Sequence, residues 1–168
     1  PDFMDATAPA REYKTFTSKL TYQEQQQRAT RGELTAALYA QAGSPKVNLP
    51  AVSPWPDVKT TDPNFPAYVW ARQKGITFGW SDGKFHANAS VSNATVAAFL
   101  YRFDGKKSVA ATEAPYTDVK VGSAFYREIL WSTQQYVINP DFGAFNATDL
   151  VNRGQLEQML FNFQNRAK

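Results

Sequence analysis

The stretch GITFGWSDGKFHANASVSNATVAAFLYR, residues 75–102, joins a turn rich in glycine and aromatic residues to an apolar run. Gly79 and the Asp82-Gly83 pair favour a sharp turn, because glycine adopts positive φ values at little cost and Asp-Gly is a common turn pair. After the turn, apolar residues recur at i, i+3, i+4 and i+7, namely Val96, Phe99, Leu100 and Phe103. This spacing places them on one helix face, so the stretch predicts a turn followed by an amphipathic helix.

The same kind of unit occurs again later in the chain, at a nearly constant separation. An aromatic-x-Asp-Val motif opens both units, with its aspartates at Asp57 and Asp118, 61 positions apart. Both aspartates suit the capping of a turn or helix start by accepting backbone N–H groups. After the turn, Phe85 and Phe145 are 60 positions apart. A fixed period whose change falls in a loop is typical of repeated supersecondary units, because packed elements tolerate length changes least.

A degenerate copy precedes these two. The letters FMDA at residues 3–6 stand for the aromatic-x-Asp-Val motif, and TRGE at residues 30–33 corresponds to the start of the second helix. The interval between them is ten residues shorter than in the next copy, and the missing part corresponds to the glycine-rich turn. Residues 23–27 stand in its place, so we expect this copy to lack the turn.

The second helix of each copy begins with a capping signal. Thr30 and Glu33 have the spacing of a capping box, in which each side chain bonds to the backbone N–H of the other residue, and Asn152 and Gln155 repeat the device with amides. Ser92 provides only the cap. These signals predict helices that begin at corresponding positions in the three copies.

Together the patterns predict an all-α fold of three helix-loop-helix units. Each second helix has an apolar face, and three such faces can be buried together in a three-helix core. We expect one domain over residues 1–168, with units at about 1–43, 54–105 and 115–165. The segments between the units are rich in Pro, Gly, Ser, Ala and Lys, which is typical of linkers.

The composition indicates a folded protein and argues against several functions. The 168 residues are 43% hydrophobic and 14% aromatic, and the net charge of +3 is too small and too scattered for a nucleic-acid surface. Without cysteine there is no disulfide, thiolate metal site or cysteine nucleophile. No apolar run approaches the length of about 20 residues that spans a bilayer, so we expect no membrane insertion.

No constellation of residues predicts catalysis, so we expect a non-enzymatic protein without a metal ion or cofactor. His86 is the only histidine, and no Gly-x-Ser-x-Gly motif accompanies it. A zinc-type site would need further histidine or cysteine ligands. A small glycoside hydrolase with two carboxylates stays open, because the sequence does not give the separation of carboxylates in space.

The chain resembles the S-layer homology domain of bacterial surface proteins in three motifs. These are the aromatic-x-Asp-Val opening, the turn Gly-Ile-x-x-Gly-x-x-Asp-Gly-x-Phe at residues 75–85, and the helix start TRGE at residues 30–33. Trp80 and the helix end AAFLYR at residues 97–102 look most like the actinobacterial branch. The resemblance spans nearly the whole chain and implies a pseudo-threefold spindle. In such a spindle the second helices form a central three-helix bundle, and the first helices and loops form prongs.

The resemblance also implies a function. Domains of this family hold secreted proteins on the bacterial envelope through an acidic, often pyruvylated cell-wall glycan, bound between prongs. An arginine at the helix start meets the acidic group, and the corresponding residues here are Arg31 and Arg153. The second copy has Asn93 instead, which lacks the charged fork that pairs with a carboxylate. We therefore expect at most two competent grooves and an extracellular, cell-surface domain of a larger secreted protein.

Other interpretations of these residues stay open. Arg31 and Arg153 follow a capping residue, where a cation gains nothing from the helix dipole, so each contacts a ligand or pairs with a neighbouring carboxylate. Trp80 either stacks on a sugar of the cell-wall polysaccharide or closes the turn over the core, and Asp82 and Gly83 of the same turn are further candidates for ligand binding. The domain could also have become a scaffold for protein–protein interaction, including self-association.

Overall fold

The computed structural model describes residues 15–109, 114–139 and 143–166. Within these ranges the chain forms six helices and no β-strand beyond isolated bridge pairs, which confirms the predicted all-α class. The helices are α1 (Tyr22–Gln26), α2 (Arg31–Gln41), α3 (Phe65–Gln73), α4 (Asn93–Phe103), α5 (Tyr126–Gln134) and α6 (Arg153–Gln164). None of these helices combines the length and the apolar character needed to cross a bilayer. The FMDA motif at residues 3–6 lies outside the described residues.

Side-chain caps fix the starts of α2, α4 and α6. The hydroxyls of Thr30 and Ser92 each accept a backbone N–H three residues later, at 3.2 Å. Asn152 and Gln155 form the predicted reciprocal capping box. The box predicted at α2 is wrong in its second half, because the Glu33 carboxylate does not return to the cap but pairs with an arginine of α6.

Helix α1 covers most of residues 23–27, the segment that stands in place of the missing turn. Its start is a capping box of Thr21 and Glu24, which the sequence analysis did not single out. The helix packs against α6, where Gly154 lies beneath Gln25. A Cβ at Gly154 would lie 2.9 Å from the Gln25 Cβ, so the close approach of the two helices depends on this glycine.

The starts of α2, α4 and α6 are joined by a closed cycle of backbone hydrogen bonds. The N–H of Ala29 donates to Val151 O (3.0 Å), that of Val151 to Val91 O (2.9 Å), and that of Val91 to Ala29 O (3.2 Å). The first helical residues form a second cycle, with bonds from Arg31 to Ala89, from Asn93 to Asp149 and from Arg153 to Gln27. Each helix start is therefore tied to the next one around the cycle.

Helix pairs extend this arrangement into the core. Helix α2 packs against α3, α4 against α5, and α6 against α1. Apolar residues of α2 to α6 meet in one buried cluster that includes Leu34, Leu38, Val96, Leu100, Leu156 and Phe163, whereas α1 has no buried residue. Trp70 and Trp131 belong to this cluster, as their positions in the helical stripes predict. A second cluster lies under the glycine-rich turn and includes Trp55, Tyr68 and Phe85.

Candidate functional site

Arg31, the first residue of α2, is buried against the glycine-rich turn of the second copy. It is only 6% exposed. Its Nε donates to Phe85 O (3.1 Å) and its Nη2 donates to Thr77 Oγ1 (3.0 Å). The guanidinium carbon lies 5.4 Å from the ring centroids of Phe85 and Phe99 and 5.9 Å from that of Trp80. Aromatic faces attract cations at such distances, so the rings and the two hydrogen bonds hold the guanidinium in place.

The Arg31 guanidinium has no carboxylate partner among the described residues. Burial, and after it the positive charge of Arg102, lower the pKa of Arg31 from its ordinary value. A guanidinium nevertheless stays protonated in proteins, so the site holds a charge that is costly to bury without a partner. Within the described ranges the guanidinium donates only from Nε and Nη2, so Nη1 makes no hydrogen bond there.

A second cation borders the same site. Arg102, in the last turn of α4, donates from Nη1 to Ile76 O (2.9 Å) and pairs with no carboxylate in the described part of the chain. Because Ile76 precedes Thr77, the two guanidinium groups bond to adjacent residues. No sequence pattern assigns a role in the site to Arg102 or Thr77. The available signal for Thr77 was a lone hydroxyl between two apolar residues.

The glycine-rich turn presents Trp80 beside this buried charge. Trp80 is 48% exposed, and its ring stacks on His86 with the centroids 3.9 Å apart. The backbone N–H of Trp80 donates to Lys84 O (2.8 Å), and Gly79 and Gly83 have φ values of 92° and 82°. A Cβ at Gly79 would lie 2.6 Å from Lys84 O, so the turn requires glycine there. Trp80 is therefore held partly exposed at the turn, with His86 stacked on its ring.

Asp82, in the same turn, holds His86 in position. Its Oδ2 lies 2.6 Å from His86 Nε2, and its Oδ1 accepts the Lys84 N–H at 2.9 Å. The hydrogen bond from the Lys84 N–H, and then that from the His86 side chain, lower the pKa of Asp82. The carboxylate is thus charged at neutral pH and repels an acidic group. It suits the hydroxyl of a sugar, which donates a hydrogen bond.

Asp57 and Asp118 fasten the far ends of the two turns. Asp57 accepts the N–H groups of Phe85 (2.9 Å) and His86 (2.8 Å), and Asp118 accepts two corresponding bonds of 2.8 Å. Burial alone would raise the pKa of Asp57, but the two N–H donors outweigh it and the pKa lies below its ordinary value. In Asp118 the bond from the Phe145 N–H is the main cause of a lowered pKa. Both aspartates accept backbone N–H groups, as predicted, but from residues far away in sequence.

Asn93 takes the position in α4 that Arg31 has in α2. Its Nδ2 donates to Phe145 O (3.3 Å) and to Asn146 O (3.1 Å). Since Phe145 corresponds to Phe85, the asparagine keeps the contact with the neighbouring turn but provides no charge. Asn93 borders a cavity, whereas the guanidinium of Arg31 occupies the corresponding position at the start of α2.

Arg153, the first residue of α6, has a different environment. Its Nε lies 3.4 Å from Glu33 Oε2, and its Nη1 donates to Gln27 Oε1 at 2.9 Å. Of the two interpretations open for this residue, pairing with a neighbouring carboxylate is the one observed. The structure thus gathers Arg31, Trp80, Asp82 and Gly83 in one region, and Arg153 faces the glutamate and the glutamine instead.

Within the described ranges, no group of three or more histidine, aspartate or glutamate side chains is arranged to hold a metal ion. The chain matches no model of a known protein family and no curated protein at a significant level. The resemblance to the S-layer homology domain therefore stays a prediction that depends on the three motifs.

Proposed function

We propose that the chain is a pseudo-threefold spindle of three helix-loop-helix repeats and serves as a non-catalytic anchor on the bacterial cell envelope. It binds an acidic cell-wall glycan, such as a pyruvylated one, and attaches a secreted protein to the surface. The cyclic hydrogen bonds between the starts of α2, α4 and α6 support the threefold arrangement. Their apolar faces share one buried cluster, which supports a central bundle.

One observation carries the functional proposal. The Arg31 guanidinium is buried, has no carboxylate partner among the described residues, and makes no hydrogen bond there through Nη1; the partly exposed Trp80 ring lies 5.9 Å away. An acidic group bound at Nη1 would supply the missing partner, and a charge-assisted hydrogen bond contributes about 1.5–3 kcal/mol. The part of the Trp80 side chain that His86 leaves exposed offers apolar surface to the sugar that carries the acid. An acidic sugar therefore matches both features.

Co-sedimentation with purified wall polymer, before and after removal of its acidic substituents, tests the proposal. The wild-type protein should sediment with the untreated polymer and stay in solution with the treated one. Arg31→Gln removes the charge, so the affinity for the untreated polymer should fall by about ten- to a hundred-fold. Equal binding of the two polymers, or equal binding by the variant and the wild type, would contradict the proposal.

The matched control is Arg127→Gln on α5, an exposed arginine whose replacement changes the net charge equally. Its binding should equal that of the wild type. Circular dichroism and thermal unfolding establish that each variant is folded before its binding is compared.

A different surface favours a second candidate function, protein–protein interaction. Leu49 and Phe78 are 49% and 67% exposed and border one open surface cavity together with Val69 and Arg72. Exposed apolar side chains that lie together are a feature of interaction surfaces. Light scattering at several concentrations distinguishes the two functions. A concentration-dependent dimer that Phe78→Ser dissociates would support self-association, and a strict monomer would exclude it.

A further inference from the structure

A cavity of about 300 Å³ lies beside Asn93, between the segment that follows α5 and one face of α6. This volume is at the lower end of those that hold small ligands. The lining is rich in carboxamide side chains, which come from Asn93, Asn139, Asn146, Gln155, Gln158 and Asn162. Carboxamides provide both hydrogen-bond donors and acceptors without a charge. The cavity is therefore polar but differs in kind from the site around Arg31.

Hydrogen bonds within the protein orient several of these amides. Asn93 and Asn162 donate their Nδ2 groups to backbone carbonyls at 3.1 Å, and Gln158 donates its Nε2 to Asn162 Oδ1 at 2.8 Å. The side-chain oxygens of Asn93 and Gln158 thus remain as acceptors. Gln155 has the opposite arrangement, because its Oε1 accepts a backbone N–H at 2.8 Å and its Nε2 remains a donor. Among the described residues, two acceptors and one donor of the lining amides therefore have no protein partner.

The described lining offers no positive charge to an acidic ligand. Asp149 is the one ionisable side chain among the described lining residues, and neither arginine nor lysine is present there. Ile138, Leu150 and Met159 add apolar surface to the same cavity. A matching ligand is uncharged and combines hydroxyl groups, an amide and a small apolar group. An N-acetylated sugar has all three, since its acetamido group carries an N–H, a carbonyl and a methyl.

We infer that the cavity beside Asn93 binds an uncharged N-acetylated sugar unit. The Asn93 and Gln158 oxygens accept hydrogen bonds from its hydroxyl and acetamido N–H groups, and Gln155 donates to its acetamido oxygen. The choice of a glycan rests on the proposed function. The inference adds a second subsite, which binds an uncharged sugar unit instead of an acidic one. The site at Arg31 takes an acidic unit and the cavity takes a neutral one.

Titration of the whole chain with tri-N-acetylchitotriose, followed in amide NMR spectra, tests the inference. Saturable shifts should appear at residues 137–139 and 155–162 and at the Asn93 side-chain amide, and the Trp80 indole signal should not move. Gln158→Ala should weaken the binding about five- to ten-fold, because it removes one hydrogen bond to the ligand. Asn165→Ala replaces an exposed carboxamide outside the cavity and should leave the binding unchanged. The inference is overturned by an absence of shifts or by equal affinities of Gln158→Ala and the wild type.

Asn93→Arg provides a test in the opposite direction. The new side chain fills the cavity and can reach Phe145 O as Arg31 reaches Phe85 O, so the variant should lose chitotriose binding. It should gain shifts at residues 137–139 with a pyruvylated disaccharide. If chitotriose fails to bind while the pyruvylated probe shifts Trp80 in the wild type, the inference alone is wrong. If chitotriose binds in the cavity and the pyruvylated probe leaves Trp80 unmoved, the proposed acidic-glycan function alone is wrong.

Discussion

Asp57 connects the aromatic-x-Asp-Val motif to the far end of the glycine-rich turn, so Asp57→Asn tests how that turn is held beside Arg31. The carboxylate accepts the N–H groups of Phe85 and His86, at 2.9 Å and 2.8 Å. Asparagine retains one acceptor and turns an NH2 group toward the second N–H, so one charge-assisted bond of about 1.5–3 kcal/mol is lost. Because Asp57 is exposed, solvent screening reduces the expected loss in the free energy of unfolding to about 1–2 kcal/mol.

The free energy of unfolding that Asp57→Asn loses should be smaller at low pH than at neutral pH. The pKa of Asp57 lies below its ordinary value in the folded protein, so its contribution to stability is present above the ordinary value of about 3.9. The contribution disappears as the pH falls through the lowered pKa, because the protonated carboxyl no longer makes the charge-assisted bonds. The stability difference between the wild type and Asp57→Asn should therefore shrink in acid.

Urea unfolding of both proteins at neutral pH and at about pH 2.5 measures this difference. Asp118→Asn should behave in the same way, since Asp118 accepts two N–H groups at 2.8 Å in the next copy. Asp62→Asn is the control, because its carboxylate accepts one local N–H from Asn64 and should cost less. Equal stability of Asp57→Asn and the wild type at neutral pH, or a difference that does not change with pH, would refute the reasoning.

Three further substitutions test separate parts of the account. Gly32→Ala should lower the free energy of unfolding by about 1–2 kcal/mol despite the better helix propensity of alanine, because the new Cβ lies 2.7 Å from Tyr68 Oη; unchanged urea unfolding would contradict this. Tyr136→Gly should raise the melting temperature, since Tyr136 is exposed and has a φ of 55°, where a side chain costs about 1–2 kcal/mol; a lower melting temperature would count against it. Arg153→Gln should change acidic-polymer binding far less than loss of the buried arginine does, because Glu33 already pairs with Arg153; a comparable loss in the sedimentation assay would show otherwise.

The sequence was sufficient to predict α2, α4 and α6 and much of their local chemistry, whereas α1 was not predicted. The apolar spacing from Val96 to Phe103 predicted the buried face of α4, and the structure confirms it for Val96, Phe99 and Leu100. The caps at Ser92 and Asn152 were also predicted correctly. These features depend on neighbours within a few residues of each other, so a linear pattern contains the information.

The site depended on contacts that a linear pattern does not contain. Arg31 binds Phe85 O and Thr77, 54 and 46 positions away, and Arg102 approaches from another helix. Glu33 fits a capping box in sequence, but its carboxylate pairs with an arginine 120 positions later. For Glu33 the tertiary partner replaces a local one, and only the folded arrangement decides between them.

The central claim, that Arg31 and Trp80 together bind an acidic sugar, is tested most directly by the four tryptophan indole signals during titration with a pyruvylated disaccharide. Trp55, Trp70 and Trp131 are buried, and Trp80 is the exposed one. Trp80 and the Arg31 side-chain N–H should shift together with one dissociation constant, and neither should shift with the same disaccharide after removal of pyruvate. Unmoved Trp80 and Arg31 signals at saturating disaccharide, or identical shifts with the uncharged sugar, would contradict the account.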